Sequence, residues 1–261
     1  MARLVNSKYE IHTTAIGKAL RVVVLSDLHS RVYSKIDEIV DLVREQAPDL
    51  ILMPGDIFER LDGSRHEWKE AGYELIKRVR EVAPVFFSIG NHENGGAHSS
   101  NRLKWKRLGS IPKYYDEGEL ARIAESGAVV LDDEFTIWKG IAIGGLTSGI
   151  INEGHKPHLD WLDSFCAHDG AKMLLCHHPE YYKKHLANRS IDLIVSGHAH
   201  GGQWRFFGRG VYAPGQGIFP RYTSGVHDGR LVISRGLKPA RYVPRLFNPP
   251  EIVTIDLKFK K

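Results

Sequence analysis

Side chains that commonly bind metals recur just after short apolar runs in this sequence. The run LRVVVL is followed by SDLH, LILMP by GD, and VFFSI by GNHE, and two later runs are followed by HHP and GHAH. A single Asp in such a place is typically a turn or capping residue, but turn chemistry does not require histidine. The repetition therefore predicts one shared site built from Asp27, His29, Asp56, Asn91, His92, His177, His178, His198 and His200.

The spacing within two of these motifs indicates how the ligands reach one cavity. In DLH and in HAH the outer residues are two positions apart, and in an extended chain residues two apart project to the same side. We therefore expect each triplet to present two ligands together. Mixed oxygen and imidazole donors suit Mn, Fe, Zn or Co ions, and a carboxylate can bridge two of them. Two such ions roughly 3.5 to 4 Å apart activate water and clamp a phosphoryl group.

The cysteine content argues against other uses of metal or sulfur. The chain has two cysteines, Cys166 and Cys176, and they do not form a CxxC motif. A closed structural zinc site needs a cluster of thiolate ligands, and a disulfide framework needs more cysteines than this. Neither is expected here.

Nine apolar runs predict the strands that position the site. They are LRVVVLS, LILM, PVFFSI, AVVLDDE, GIAIGGL, AKMLLC, IDLIVS, GRLVIS and EIVTIDLKF. Helical spacing of apolar residues predicts helices over 34–46 and 67–81. Continuously apolar strands are buried on both faces, so we expect an α/β fold with helices covering the sheets. The polar residues would then lie at the carboxyl edge of a sheet, where such folds place their sites.

Length and composition favour a single globular domain over 1–261. The chain has 261 residues, 42% hydrophobic and 26% charged, which excludes fibrous and disordered classes. No apolar run approaches the roughly 18 residues of a membrane span, and the N-terminus does not resemble a secretory signal. We therefore expect a cytoplasmic protein. The net charge of +5 favours anionic partners.

The segment 94–115 is predicted to be a basic lid or insertion. It contains Arg102, Lys104, Lys106, Arg107 and Lys113 with no acidic residue, and three aromatic residues are interspersed among them. This composition suits a substrate lid over an anionic and partly apolar substrate, a membrane contact or a nucleic-acid strand. A plain solvated loop has the same composition. A short basic end, LKFKK, is a further candidate for peripheral contact with an anionic membrane.

The order DxH, GD, GNHE, HxP and GHxH resembles the calcineurin-like metallophosphoesterases, and the resemblance spans Val22 to Gln203. The GHAHGGQ version resembles the bacterial YkuE/YaeI-type branch. The resemblance implies a four-layer α/β/β/α sandwich of two mixed sheets flanked by helices.

Roles for individual residues follow from that resemblance. It implies that Asp27, His29 and His200 bind one divalent metal ion, that Asn91, His177 and His198 bind a second, and that Asp56 bridges both. Manganese is the expected metal, and Fe, Zn or Co would also suit the ligands. His92 matches the histidine near the leaving-group oxygen. The family places the ligand two residues before the proline, which favours His177 over His178.

Two acidic residues are left with open roles. The family's second motif is commonly GDxxD, whereas here Glu59 occupies the last position, which leaves the metal ligands in place but changes what surrounds them. Glu93 either orients the imidazole of His92 or is simply solvated.

The expected reaction is hydrolysis of a phosphodiester or pyrophosphate bond by in-line attack of a metal-bound hydroxide, with His92 protonating the leaving group. The substrate would be a phosphate ester, either lipid-linked or a nucleotide. A phosphomonoesterase, a nuclease with the same metal chemistry, a non-catalytic scaffold and a different metal-dependent hydrolase are the alternatives. The sequence contains no dedicated nucleic-acid module.

Overall fold

The computed structural model describes residues 3–14, 18–29, 35–59, 61, 69–94, 115–149, 157–238 and 244–259. The helices are α1 (Ile36–Gln46), α2 (Glu70–Val79), α3 (Glu117–Glu125) and α4 (Leu162–Cys166), with a π-helix at Tyr182–Leu186 and a 3₁₀ turn at His200–Gly202. The strands are β1 (Val5–Thr13), β2 (Leu20–Val24), β3 (Leu50–Met53), β4 (Val85–Ser88), β5 (Ala128–Leu131), β6 (Glu134–Trp138), β7 (Ile141–Leu146), β8 (Lys172–Cys176), β9 (Leu193–Ser196), β10 (Arg205–Phe206), β11 (Arg209–Gly210), β12 (Tyr212–Ala213), β13 (Gly217–Ile218), β14 (Gly225–His227), β15 (Leu231–Ile233) and β16 (Glu251–Phe259).

Two mixed six-stranded sheets contain most of these strands. The first has the order β1-β16-β2-β3-β4-β5, in which β2 to β5 run parallel and β16 is antiparallel to β2. The second has the order β14-β15-β9-β8-β7-β6, in which β15, β9, β8 and β7 run parallel and the two edge strands are antiparallel. Two small hairpins, β10-β11 and β12-β13, lie between β9 and β14 in the chain.

The two-residue alternation of the apolar strands produces the layers. In β3, Leu50 and Leu52 pack into a core shared with the second sheet, whereas Ile51 packs with the helices on the outer face. In β9, Val195 belongs to the shared core and Ile194 to a third core on the other outer face. Because both faces of each central strand are covered, these strands are apolar throughout. The result is the predicted α/β/β/α sandwich, which the structure confirms.

Helices close the two outer faces. Helix α1 buries Ile36, Ile39, Val40 and Val43 at helical spacing, and α2 packs in the same core. Helix α1 ends where Ala47, in the left-handed conformation at φ 46°, precedes Pro48. On the far side, α4 and the π-helix cover the second sheet. The helices predicted over 34–46 and 67–81 are confirmed as α1 and α2.

All nine predicted strands are present, together with several others that the sequence pattern did not predict. The nine are β2, β3, β4, β5, β7, β8, β9, β15 and β16. Two of the missed strands, β1 and β6, are edge strands of the sheets, so neither has the continuous apolar run that identified the central strands. The predicted lid lies almost entirely outside the described residues, which on either side of it end at Asn94 and resume at Tyr115.

Among the helices in the described ranges, none is long and apolar enough to cross a membrane.

Candidate metal centre

The carboxyl ends of parallel strands in both sheets meet at one place. Four groups of three side chains there each have donor atoms within 4.8 Å of one another, namely Asp27, His29 and His200; His29, Asp56 and His92; Asp27, Asp56 and His177; and His177, His178 and His198. The groups share members, so they form one continuous cluster. The first sheet contributes the loops after β2, β3 and β4, and the second sheet contributes the loops after β8 and β9.

The ligands are oriented by turns and not by extended chain, which corrects the expected alternation. Left-handed φ angles occur at 55° for Asp27 and 52° for His29, and at 65° for His198 and 46° for His200. Asp56 has φ 55°. Left-handed backbone is uncommon for residues other than glycine and is concentrated at functional sites. Each pair therefore shares a cavity because the chain turns sharply, although the predicted pairing itself is observed.

Glycines allow the loops to approach each other. A Cβ added to Gly90 would lie 2.2 Å from the Oδ1 of Asp56, and one added to Gly197 would lie 2.4 Å from the Oδ2 of Asp27. Both distances are far below van der Waals contact. Glycine at these two positions is therefore required for the backbone of one loop to pack against the carboxylate of another.

Backbone carbonyls set the tautomers of two histidines. The Nδ1 of His177 lies 3.0 Å from the carbonyl oxygen of Pro54, and the Nδ1 of His200 lies 2.9 Å from that of Lys238. Since a carbonyl oxygen only accepts hydrogen bonds, each Nδ1 carries the proton and donates it. The Nε2 atoms then face the cluster: that of His177 is 3.0 Å from the Oδ2 of Asp56, and that of His200 is 3.6 Å from the Oδ1 of Asp27.

Short contacts hold the two carboxylates in place. The hydroxyl of Ser26 donates to the Oδ2 of Asp27 at 2.6 Å, and the backbone N–H of His198 donates to the Oδ1 of Asp27 at 3.0 Å. The backbone N–H of His92 donates to the Oδ1 of Asp56 at 2.9 Å. The bond from Ser26 lies within one loop, whereas the bonds from His198 and His92 each join two loops. Together they hold both carboxylates in place before any cation binds.

Burial keeps most of the imidazoles neutral. It lowers the pKa of His29, His198 and His200, and neighbouring imidazoles or cationic groups contribute to each shift. At His177 burial also opposes the charge, but the Asp56 carboxylate outweighs it and raises the pKa to about 9. Burial alone would raise the pKa of Asp56, yet the surrounding imidazoles, His177 foremost, hold it well below its usual range. The buried carboxylates and the neutral imidazole nitrogens together form an environment that stabilises a bound cation.

The donor set fits divalent cations. Within the described part of the chain, the Oδ1 of Asn91, the Nδ1 of His29 and the Nδ1 of His178 are buried without a hydrogen-bond partner. The Nε2 atoms of His29 and His200 converge to 3.4 Å. Buried polar atoms are rarely left unpartnered, and neutral imidazoles with carboxylate and amide oxygens are the donors that Mn, Fe, Zn and Co accept.

His178, the ambiguous neighbour, lies inside the same cluster. Its ring centroid is 4.2 Å from that of His198, and burial together with His177 lowers its pKa. Only His177 of the two is also grouped with Asp27 and Asp56. This geometry supports His177 as the ligand, and the choice between the two stays a prediction.

His92 lies at the exposed side of the cluster beside Glu59. Its side chain is 25% exposed, and its ring centroid is 4.5 Å from that of His29. Glu59 lies between these two rings, with carboxylate oxygens 3.8 Å from the Nδ1 of His92 and 3.7 Å from the Nδ1 of His29. Glu59, the residue that departs from the family pattern, therefore lies close to both His29 and His92.

Glu93 fulfils neither of its two expected roles. It is fully buried, so the solvated alternative is wrong. Its carboxylate accepts backbone N–H groups from Asp56 at 2.8 Å, Phe58 at 2.9 Å and Gly90 at 3.0 Å. Burial and the nearby Asp56 carboxylate raise its pKa, and the hydrogen bonds oppose that shift. Glu93 thus ties the loop after β3 to the loop after β4.

Several supporting residues lie beyond His200 and were not predicted. The Nδ2 of Asn248 donates to the carbonyl oxygens of His200 at 2.7 Å and Gln203 at 3.1 Å. Arg245 donates to the same Lys238 carbonyl oxygen that accepts from His200. Nothing in the local sequence marks these residues, because they are far along the chain from the ligand that they support.

Comparison with known proteins agrees with this geometry. A four-layer α/β sandwich with a cluster of Asp, Asn and His side chains at its strand ends has the architecture of a metal-dependent hydrolase. A family model described as calcineurin-like phosphoesterase matches residues 20–202. The chain belongs to this family, and its enzymes are phosphoesterases that use divalent metal ions.

Three of the relatives found are bacterial proteins of which this chain covers most of the length. YpbG of Bacillus subtilis is 28% identical over 258 residues, covering 94% of this chain and 86% of YpbG. The metallophosphoesterase YkuE of the same organism is 24% identical, covering 91% of this chain and 79% of YkuE. Phosphodiesterase YaeI of Escherichia coli is 26% identical, covering 91% of this chain and 82% of YaeI. The predicted resemblance to this bacterial branch is confirmed.

Proposed function

We propose that this protein is a phosphodiesterase or pyrophosphatase that depends on two divalent metal ions. The observation that carries the proposal is the position of Asp56, whose carboxylate belongs to one donor group with His29 and to another with His177. A carboxylate shared between two donor groups is the arrangement that lets one ligand bridge two ions. Both sheets contribute to a shared core, and we propose that 1–261 form a single domain around this site.

We assign the ligands as the family resemblance implies. Asp27, His29 and His200 would hold one ion, Asn91, His177 and His198 the other, and Asp56 both. The first three form one of the observed donor groups, and His177 and His198 belong to another. Asn91 is supported by its buried, unpartnered Oδ1 within the described structure. Manganese is the expected ion, and when bound the ions activate water and neutralise charge on phosphoryl oxygens.

The protein's own residues orient the substrate and move one proton. His92 lies at the exposed side of the cluster, where it can donate a proton to the departing oxygen. The Glu59 carboxylate lies 3.8 Å from the Nδ1 of His92, on the same side of the cluster. General acid catalysis of this kind contributes about 10²–10⁴-fold in rate.

A diester is preferred over a monoester because the YaeI relative carries the name phosphodiesterase. The same chemistry in a phosphomonoesterase is the second candidate. The segment 94–115 is proposed as a substrate lid on its composition alone, since its residues 95–114 lie outside the described structure.

The first experiment loads the metal-free protein with Mn²⁺ and measures bound metal per chain and hydrolysis of bis-p-nitrophenyl phosphate and p-nitrophenyl phosphate. Asp56→Asn removes the bridging charge, and Asp41→Asn, at an exposed position on α1, is the matched control. We expect two ions per chain and diester hydrolysis, both lost in Asp56→Asn and retained in Asp41→Asn.

Other results would redirect the assignment. Hydrolysis of the monoester alone would select the phosphomonoesterase. Cleavage of plasmid DNA with steep salt dependence would select the nuclease. Two bound ions without hydrolysis of any of these substrates would favour the non-catalytic scaffold, and a single ion per chain would overturn the bridging role of Asp56.

A further inference from the structure

Three exposed phenylalanines lie in the part of the chain that follows the last predicted metal ligand, His200. Phe207 is fully exposed, Phe219 is 75% exposed and Phe247 is 72% exposed. Their neighbours in the chain are also exposed and apolar. Together they form what we call the aromatic face, which consists of Trp204, Phe206, Phe207, Ile218, Phe219, Leu246 and Phe247.

The tips are structured and adjoin one another. The rings of Phe206 and Phe247 are 5.9 Å apart. The backbone N–H of Arg205 donates to the carbonyl of Leu246 at 3.0 Å, and that of Phe219 donates to the carbonyl of Val211 at 2.8 Å. The aromatic side chains are therefore held outward by hydrogen-bonded turns.

The backbone at each tip is costly for a bulky residue. Phe207, Phe219 and Phe247 have left-handed φ angles of 50°, 51° and 53°. This conformation is an outlier for large side chains and is readily adopted by glycine and asparagine. At these exposures the three side chains contribute little to the core, and their turns do not require an aromatic ring, which indicates an external partner.

Charge identifies the chemistry of that partner. Residues 203–227 contain three arginines and no acidic residue, and residues 235–250 contain three arginines and one lysine and again no acidic residue. Asp228 and Glu251, which follow these stretches, pair with Arg221 at 3.7 Å and with Arg235 at 2.5 Å, so basic residues remain in excess. Next to the tips lies a cavity of about 400 Å³ whose lining includes Arg205, Arg209, Arg221 and Phe219. Burial and the neighbouring Arg235 lower the pKa of Arg205, and Glu251 opposes that shift.

We propose that the aromatic face is a docking surface for a lipid bilayer rich in anionic phospholipid, with the arginine cavity receiving a headgroup phosphate. Aromatic side chains with an excess of adjoining basic residues are the combination that binds the interfacial region of anionic membranes. This surface is built from other residues than the segment 94–115 and the basic end LKFKK, and Lys258 of that end pairs with Glu10.

The surface is directly connected to the metal centre. The N–H of Val211 donates to the carbonyl of Gly202 at 3.2 Å, and Arg205 donates to the carbonyl of Gly201 at 2.9 Å. Both acceptors follow His200 immediately. Docking would therefore bring lipid phosphates to the side of the molecule where the predicted ligands lie, although the docking itself does not depend on the proposed reaction.

The test is cosedimentation of the full chain with phosphatidylcholine vesicles, with and without phosphatidylglycerol. The triple variant Phe207→Asn, Phe219→Asn, Phe247→Asn removes the aromatic rings and keeps a residue that tolerates the left-handed backbone. Ile137→Asn is the control, since Ile137 is an exposed apolar residue on edge strand β6. We expect the protein and the control to bind anionic vesicles, and the triple variant to bind about tenfold or more weakly.

The arginine cavity is tested by Arg209→Gln, with Arg44→Gln on α1 as its control. Loss of one basic residue at an anionic surface corresponds to about a fivefold weaker affinity. Unchanged thermal unfolding midpoints would show that the variants fold. Failure of the protein to pellet with anionic vesicles, or equal pelleting of the triple variant, would overturn the proposal. So would a dimer in solution that the triple variant dissociates without any vesicle binding.

Discussion

The loops that carry the predicted metal ligands and the loops that follow them use the same backbone conformation for opposite purposes. Asp27, Asp56 and His198 turn through left-handed φ angles of 55° to 65° and are buried, although they are polar. Phe207 and Phe219 turn through φ angles of 50° and 51° and are exposed, although they are aromatic. In each case the side chain lies in the environment that folding alone disfavours.

The contrast between buried polar side chains and exposed aromatic ones indicates what each region lacks in the isolated chain. The buried imidazole nitrogens that have no hydrogen-bond partner lack an electron-pair acceptor, which a cation supplies. Exposed phenylalanines lack apolar surroundings, which only another surface supplies. Both regions therefore have the features of binding sites: the metal centre inside the fold and the aromatic face on its surface. Experiments that separate binding from folding test this comparison.

The largest expected effect is on catalysis at the metal centre. His92→Ala should lower turnover of the diester about 10²–10⁴-fold by removing the proton donor, while bound metal per chain stays unchanged. Steady-state kinetics and elemental analysis of the same sample measure both quantities. His12→Ala, at an exposed position on β1, is the matched control. Loss of metal from His92→Ala would show that His92 is a ligand.

Removal of the metal comes next in size. A ligand that binds only the folded state at about a thousand times its Kd stabilises it by about 4 kcal/mol. A chelator should therefore lower the free energy of unfolding of the protein, measured by urea titration, by a comparable amount. Asp56→Asn should abolish most of this difference. A protein equally stable with and without the chelator would contradict a binding role for the buried donors.

A smaller effect, on metal affinity, is expected at Asn248, which lies far along the chain from His200 and supports its loop. Asn248→Ala leaves the buried carbonyls of His200 and Gln203 without their donor. Loss of such an outer partner typically costs about 10–100-fold in metal affinity. Stepwise metal titration should show weakening of one ion and not the other, because the contact is to His200. Asn188→Ala, at an exposed position, should leave both affinities unchanged.

The smallest effect is expected on the free energy of unfolding at the aromatic face. Phe207→Asn should change the free energy of unfolding by less than about 0.5 kcal/mol, as for surface substitutions in general. Phe87→Ala, at a fully buried position, should cost about 3–5 kcal/mol in the same urea titration. A large cost at Phe207 would mean that it packs in the fold and would remove the contrast between the two regions.

Sequence patterns predicted the parts of the fold where a residue's environment depends on its neighbours along the chain. The central strands were found because burial on both faces makes every position apolar. The candidate ligands were found because imidazole and carboxylate groups recur after those strands. The edge strands β1 and β6 were missed because they lack a continuous apolar run, and the expected alternation in DLH and HAH was wrong because spacing does not reveal a turn.

What the sequence by itself determined is the α/β architecture, the identity of the donor groups and their position at strand ends. These depend on local composition and on the two-residue and 3.6-residue periods of strand and helix. Only the tertiary structure decided that Asp56 is shared between donor groups from both sheets and that Asn248 supports the loop of His200. It also decided that the three phenylalanine tips adjoin. These contacts join residues distant in the chain, and they follow from how the two sheets and their loops pack in space.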